Sequence, residues 1–173
     1  MFSGESDKIL PRDALISRLN DIRASRQRIV CTNGVFDLMH IGHLRYLRAA
    51  RALGDVLLVG VNSDGSTRRL KGPTRPLVPE TERAELLAGL ACVDLVTIFD
   101  EDTAEELVRI TQPDFYVKGG DYADSTVAGT SPAAKRLPEA DIVRAQGGHV
   151  VLIPYVPGHS TSALIESICR MQT

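Results

Sequence analysis

The stretch RIVCTNGVFDLMHIGHLRYLRAARALGDVLLVGV, residues 28–61, decides the fold. It begins with a short β-branched run at 28–32, which predicts a strand that Asn33-Gly34 interrupts. Residues 41–53 then carry apolar side chains at helical spacing. Val56–Val61 is apolar at every position, as is typical of a strand buried on both faces. A strand, a helix and a second buried strand together predict a parallel βαβ unit.

The same alternation runs through the rest of the chain. Further strands are predicted at 95–98, 115–117 and 150–153, and helices at 11–27, 79–90, 103–111, 139–146 and 160–171. Thr103 and Glu106 occupy the positions of a capping box. The pattern predicts an α/β protein with a Rossmann-like, open, parallel five-stranded sheet and helices on both faces. Ligands of such sheets bind beyond the carboxyl ends of the strands.

Composition bounds the class of protein. The chain has 173 residues and a formal net charge of -2, which fits one compact domain and argues against a general nucleic-acid binder. No apolar run is long enough to span a membrane, and the first residues lack a secretion signal. Three widely spaced cysteines suggest neither disulfides nor a zinc site, so we expect a cytoplasmic protein. Residues 1–27 are interpreted as an N-terminal extension with one helix, and 28–173 as the functional domain.

The turn after the first strand carries the candidate chemistry. His40 and His43 are three residues apart at a helix start, so their side chains share one face, and Gly42 leaves that surface open. Free N–H groups and the positive end of the helix dipole favour a polyanion such as a triphosphate. Gly34 allows a ligand to approach the backbone closely. From these residues alone, a metal site with Asp37 as a third ligand, or no function, remains an alternative.

One group of cations and one further arginine are also candidates for phosphate binding. One group places four cations within eight residues, with no acid among them: Arg68, Arg69, Lys71 and Arg75. This stretch is interpreted as a loop that is either simply solvated or clamps phosphates. Arg83 lies near a helix start, where a cation is mildly unfavourable; it is either an exposed helix residue or a phosphate ligand.

Two small polar motifs can be interpreted either as purely structural or as ligand-binding. Lys118-Gly119-Gly120-Asp121 follows a strand and is either an ordinary turn or a surface for a base or a sugar. Ser160-Thr161-Ser162 begins the last helix, where its hydroxyls and N–H groups suit helix capping and anion binding alike.

His40-Ile41-Gly42-His43 resembles the HIGH signature of the nucleotidyltransferase superfamily, and Asn33–Asp37 resembles the turn that precedes it in the small transferases. The resemblance continues in the same order through these stretches: Val61-Asn-Ser-Asp64, Lys71, Arg75-Pro76, Glu82-Arg83, Val117-Lys-Gly-Gly-Asp-Tyr122, Gly147-Gly148 and Gly158-His-Ser-Thr-Ser162. Together these motifs look like those of the adenylyltransferases that make ADP-heptose from a heptose 1-phosphate.

The resemblance implies transfer of AMP from ATP to a heptose 1-phosphate, with release of pyrophosphate. The implied catalytic residues are His40, His43 and Lys71. The implied nucleotide-binding residues are Asn33, Gly34, Phe36, Gly42, Arg83, Lys118, Gly119, Ser160, Thr161 and Ser162. The implied substrate-binding residues are Asp37, Asn62, Arg75, Gly120 and Asp121. It also implies that Mg²⁺ is carried on the nucleotide phosphates without protein ligands. A separate sugar kinase would supply the substrate, and a homodimer is an open expectation.

Several alternatives stay open at this point. A related transferase would use CTP with an alcohol phosphate such as glycerol 3-phosphate, or ATP with another sugar phosphate or phosphopantetheine. Ala91 stands where the glycerol-phosphate cytidylyltransferases have Arg, which weakens the CTP alternative. The stretch Ala123–Pro138 is longer than the heptose enzymes lead us to expect, so the identity of the sugar is open. A rival from another class is a non-catalytic nucleotide sensor, against which the intact histidine pair and Lys71 argue.

Overall fold

The structure is a computed structural model that describes residues 6–119, 122–123, 135–154, 158 and 161–171. Its helices are α1 Arg12–Ala24, α2 Ile41–Arg51, α3 Asp64–Lys71, α4 Glu80–Ala88, α5 Glu105–Thr111, α6 Ala140–Ala145 and α7 Thr161–Arg170. Its strands are β1 Ile29–Gly34, β2 Val56–Asn62, β3 Leu95–Phe99, β4 Phe115–Gly119, β5 Tyr122–Ala123, β6 Lys135–Arg136 and β7 His149–Ile153. Among the described residues, no helix is long and apolar enough to cross a membrane.

Five strands form one parallel sheet in the order β3-β2-β1-β4-β7, and β5 pairs with β6 in a separate two-stranded sheet. The chain moves outward from β1 to β2 and β3, then returns to the other side of β1 with β4 and β7. The strand order therefore reverses between β1 and β4, and in open α/β sheets the crevice at this switch point is where ligands bind. The predicted fold class is confirmed.

Apolar helices cover both faces of the sheet. On one face, α1, α5 and α6 pack on strand residues such as Cys31 and Leu58. On the other face, α2 and α4 pack on residues such as Val30 and Val59. Successive residues of a strand point to opposite faces, so Leu58 and Val59 enter different cores. This double coverage is the reason that β2 is apolar at every position.

The part of the predicted N-terminal extension that the structure describes packs on the sheet. Leu15, Leu19 and Ile22 of α1 are buried in the same core as β1 and β2. Ile9 forms a β-bridge with Val96, beside the edge strand β3. The boundary between 27 and 28 stays a prediction.

The ends of two elements differ from the sequence prediction. The predicted break at Asn33-Gly34 is wrong, because both residues remain in β1 and pair with Gly60 and Val61 of β2. The predicted capping box of α5 is also wrong. The helix begins at Glu105 without a side-chain cap from Thr103, and the carboxylate of Glu139 instead accepts the N–H of Ala104 at 2.8 Å. A cap supplied from 35 residues away has no local sequence signal.

The stretch interpreted as a loop around Lys71 is largely helical. Residues 64–71 form α3, whose N-cap Ser63 accepts a hydrogen bond from the N–H of Ser66 at 2.9 Å. Gly72 ends the helix with a φ of 95°, a conformation that favours glycine. The segment is short and polar, so it lacks the apolar stripe from which a helix is normally predicted.

Candidate active site

The candidate site lies at the switch point, where β1 and β4 end next to each other. Asn33 and Gly34 are the last residues of β1, and Lys118 and Gly119 are the last residues of β4. The turn that follows β1 leads into α2. The start of α7 lies over this turn, because the Thr161 hydroxyl donates to the carbonyl of Leu38 at 3.4 Å. The fold thus gathers residues from three distant parts of the chain, namely β1 with the start of α2, the end of β4, and the start of α7.

The two histidines cap α2 reciprocally. His40 is the N-cap, and its Nδ1 accepts the N–H of Gly42 at 3.1 Å. The Nδ1 of His43 accepts the N–H of His40 at 3.3 Å. The rings stack, with centroids 3.9 Å apart and an interplanar angle of 26°. A neutral imidazole whose Nδ1 accepts a hydrogen bond carries its proton on Nε2. Both histidines are therefore fixed, when neutral, as Nε2–H donors on the side away from the helix backbone.

His43 is neutral near physiological pH. Burial, the neighbouring His40 and the charge of Lys71 lower the pKa of His43 from 6.5 to about 4. The ring of Phe36, whose backbone has a φ of 50°, packs edge-on against His43 with centroids 5.5 Å apart. This surrounding favours a neutral hydrogen-bond donor over an imidazolium cation. The influence of Lys71 also shows that its charge lies near the histidine pair.

A buried cation joins the ends of β1 and β4. The Lys118 ammonium, in a residue only 6% exposed, donates to Oδ1 of Asn33 at 2.7 Å. The same oxygen accepts the Tyr116 hydroxyl at 2.6 Å. Because both donors approach Oδ1, the amide nitrogen of Asn33 lies on the opposite side of the group, where it can donate to a ligand. A Cβ on Gly34 would lie 3.2 Å from the Phe36 ring, so glycine leaves room for that ring at the end of β1.

The four cations around Lys71 do not form one group. Arg69 pairs with Asp102 at 2.6 Å and with Asp100 at 3.4 Å, both beyond the end of β3. Arg75 pairs with Asp37 at 3.1 Å. Lys71 is the last residue of α3, and its side chain lies within electrostatic reach of His43. The sequence could not separate these cations, because the acids that pair with them are distant in the chain.

Arg83 is completely buried, so the alternative that it is an exposed helix residue is wrong. Its guanidinium donates to the carbonyls of Val78 at 2.8 Å, Val35 at 2.5 Å and Asn62 at 2.9 Å. It also pairs with Asp64 at 2.7 Å. The arginine thus joins the end of β2 to the turn after β1, and its nucleotide-binding role stays a prediction.

Of the remaining candidate residues, some are described by the structure and others lie outside the described residues. Asn62 is 4% exposed, and its amide nitrogen donates to the Ser66 hydroxyl at 3.0 Å. Gly42 lies in the first turn of α2, where its N–H holds His40. Three other candidates, Gly120, Asp121 and Ser160, lie outside the described residues. The side chain of Ser162 also lies outside them.

Sequence reasoning missed two residues that support the site, Tyr116 and Asp64. Tyr116 could have been found from strand periodicity, because it lies two residues before Lys118 and therefore on the same face of β4. Asp64 stands in one of the motifs of the resemblance, but its pairing with Arg83 has no local signal, since Arg83 is on another helix.

Polar donors and buried cations at the switch point of a parallel sheet define a nucleotide-binding α/β domain. Residues 31–167 match the family model described as "Cytidylyltransferase-like". The chain belongs to this cytidylyltransferase-like family, which is a family of nucleotidyltransferases.

Several curated relatives share the name "Bifunctional protein HldE". The one from Syntrophotalea carbinolica is 50% identical over 161 residues, which cover 93% of this chain and 31% of that protein. The one from Trichlorobacter lovleyi is 47% identical over 166 residues, or 96% of this chain and 32% of that protein. The chain thus spans about a third of the length of these relatives.

A solved structure is similar in fold and in sequence. It is the lipopolysaccharide core biosynthesis protein from Thermoplasma volcanium, with a TM-score of 0.56 and 28% identity. The match covers 75% of this chain and 97% of that one.

Proposed function

We propose that this domain transfers AMP from ATP to a heptose 1-phosphate and releases pyrophosphate. The observation that carries the proposal is the reciprocal cap of His40 and His43, which presents two Nε2–H donors at the start of α2. The resemblance of the motifs to the ADP-heptose enzymes and the relatives named HldE support the choice of substrates.

The reaction needs no protein base. A phosphate oxygen of the sugar phosphate is already anionic, and it attacks the α-phosphorus of ATP in line. A new P–O bond forms while the bond from the α-phosphorus to the bridging oxygen of pyrophosphate breaks. Negative charge shifts onto the phosphoryl oxygens and the leaving pyrophosphate, where preorganised donors act most strongly. In this proposal the Nε2–H groups of His40 and His43 donate to those oxygens.

The cations near the site have complementary roles in the proposal. Lys71, with Thr161 at the start of α7, holds the departing pyrophosphate. Lys118 keeps the potential at the end of β4 positive and orients Asn33 toward the nucleotide. In this proposal Arg75 binds the sugar phosphate; among the described residues its buried Nη1 has no hydrogen-bond partner. Preorganised groups of this kind lower the barrier without reorganising during the step.

We assign Mg²⁺ to the nucleotide phosphates. The described part of the chain brings together no group of three or more His, Cys, Asp or Glu that could hold a metal ion. Mg²⁺ fits such a site, since it is commonly bound through substrate phosphates and water with few protein ligands. When bound, it neutralises part of the phosphate charge.

A sugar kinase would supply the phosphorylated substrate. The relatives are called bifunctional and are about three times as long as the match, so a second activity accompanies their matched region. We propose that such a kinase activity operates with this domain in the cytoplasm, where ATP is available. A homodimer remains an expectation.

A pyrophosphate-release assay over a matrix of nucleotides and acceptors tests the proposal. The nucleotides are ATP and CTP, and the acceptors are heptose 1-phosphates of both anomers, glycerol 3-phosphate and phosphopantetheine. We expect ATP with a heptose 1-phosphate to exceed every other pair by at least about tenfold in kcat/KM. Faster turnover of CTP with glycerol 3-phosphate would favour the alternative that the family description suggests. Nucleotide binding without turnover for any pair would instead indicate a sensor.

The His43→Ala variant provides the control for mechanism. Loss of one preorganised donor lowers kcat by about 10²–10³-fold in comparable sites. ATP binding should weaken much less, because the contact strengthens only in the transition state. Near-normal turnover by this variant would contradict the proposed mechanism.

A further inference from the structure

The segment 72–79, between α3 and α4, is tied to the turn after β1 by a buried carboxylate. The side chain of Asp37 is only 1% exposed. Its Oδ1 accepts the N–H of Leu77 at 2.8 Å and the N–H of Val78 at 3.0 Å. Hydrogen bonds to an ionised carboxylate are stronger than those between neutral groups. Asp37 therefore holds the backbone of this segment directly.

The same carboxylate also holds a side chain of the segment. Oδ2 of Asp37 lies 3.1 Å from Nη2 of Arg75, whose side chain is 16% exposed. Within the described residues, this Oδ2 has no partner with hydrogen-bond geometry, so the contact is held by charge. Opposite charges that are shielded from water attract more strongly than the same charges at the surface.

Arg83 completes the connection from the side of α4. Its Nε donates to the carbonyl of Val78 at 2.8 Å, and its Nη1 donates to the carbonyl of Val35 at 2.5 Å. Val78 is thus held at both backbone groups, its N–H by Asp37 and its carbonyl by Arg83. Val35 and Asp37 belong to the same turn. Two buried charged side chains therefore join residues 35–37 to residues 75–78.

This connection bears on the candidate site because of what lies at either end. Residues 35–37 lead into His40, and the segment 72–79 follows directly after Lys71, whose charge acts on His43. Fixing one piece of backbone against the other sets the position of the Lys71 backbone relative to the histidine pair. A change of about 1 Å in such a distance is enough to lower a rate by about 10²-fold.

We propose that Asp37 is a positioning residue that holds the segment 72–79, and through it Lys71, against the turn that carries His40 and His43. Its kinetic consequence rests on the proposed function. The proposal assigns Asp37 a different role from the substrate contact that its motif implies. Its oxygens are engaged with two backbone N–H groups and Arg75.

Two variants of Asp37 and a matched control test the proposal. Asp37→Ala removes every contact, whereas Asp37→Asn keeps an oxygen that can accept both N–H groups. Asp114→Ala is the control, because Asp114 also accepts a backbone N–H, that of Ile29 at 2.7 Å, but at the amino ends of the strands. For each protein we would measure amide hydrogen exchange at Leu77 and Val78, and kcat and KM for both substrates.

We expect Asp37→Ala to exchange both amides at least about tenfold faster than the wild type, as loss of a local hydrogen bond predicts. Its kcat should fall by about 10²-fold while the KM for ATP changes by less than about threefold; the KM for the sugar phosphate also changes, because Arg75 loses its partner. Asp37→Asn should keep slow exchange and recover most of kcat, and Asp114→Ala should match the wild type in exchange and kcat. If Asp37→Ala does not fold, the contrast between Asp37→Asn and the wild type still decides whether charge or the amide contacts dominate.

A double-mutant cycle with Lys71→Ala separates positioning from a general loss of stability. If Asp37 acts through Lys71, the double variant should be no slower than Lys71→Ala alone. Losses in kcat that multiply would overturn the proposal. So would a rise in KM for the sugar phosphate in both Asp37 variants with exchange unchanged, since that pattern indicates direct substrate contact. A wild type without turnover would refute the proposed function, and amide exchange would still decide whether Asp37 holds the segment.

Discussion

The neutral state of His43 makes the stability of the protein depend on pH in a defined direction. In the unfolded chain this imidazole takes up a proton near pH 6.5, whereas in the folded protein its pKa is about 4. As the pH falls below 6.5, the unfolded state therefore binds the proton first. We expect the free energy of unfolding to decrease from that pH down to about 4 and this effect to be complete below it.

The size of the effect follows from the shift and from the surroundings. A pKa difference of this size corresponds to about 3 kcal/mol when no solvent screening applies. His43 is only part-buried, so water reduces the electrostatic share of the shift. We therefore expect a loss of about 1–2 kcal/mol in the free energy of unfolding from this residue.

Urea unfolding at about pH 7 and about pH 4.5 measures this loss, with the wild type compared to His43→Asn. Asparagine does not titrate, and its Oδ1 can still accept the N–H of His40. The decrease in the free energy of unfolding between the two pH values should be smaller in the variant by about 1–2 kcal/mol. An equal decrease in both proteins would refute the claim that His43 is held neutral.

Two further predictions concern packing around the site. In Gly60→Ala the new Cβ would overlap with the Leu107 side chain, so we expect the free energy of unfolding, measured with urea, to fall by about 1–3 kcal/mol. An unchanged urea midpoint would show that the core adjusts to the extra methyl group. Arg83→Met leaves the carbonyls of Val35, Asn62 and Val78 without their donor. We expect the free energy of unfolding to fall by about 3 kcal/mol or more in the same urea measurement. A loss below about 1 kcal/mol would mean that water replaces the guanidinium.

The features that the sequence predicted correctly have local causes. The apolar run of β2 reflects burial on both faces, and the spacing of His40 and His43 places them on one side of a helix start. Both signals lie within a few residues, so period and spacing were sufficient. The alternation of strands and helices was sufficient to predict the parallel sheet covered on both faces, whereas the order of its strands comes from the structure alone.

The features that it missed depend on partners distant in the chain. α3 has no apolar stripe and is held through its cap and by the carboxylate of Glu80, which accepts the N–H of Asp64 at 2.5 Å. The burial of Arg83 depends on carbonyls from β2 and two loops, which spacing along one helix cannot show. The arrangement of the histidine pair was predicted, but its fixed tautomers were not, because they depend on individual N–H directions.

The bridge between Ile9 and Val96 has a consequence for the behaviour of the protein in solution. β3 is an outer strand, and outer strands offer unpaired backbone groups on which other chains can assemble. Here the N–H of Leu10 donates to the carbonyl of Val96 at 2.9 Å, and the N–H of Val96 donates to the carbonyl of Lys8 at 2.8 Å. Residues 8–10 thus shield this border of the sheet from intermolecular pairing. A shortened chain that starts at Arg28 would lose that shield together with the apolar cover from α1, and it would be prone to aggregate.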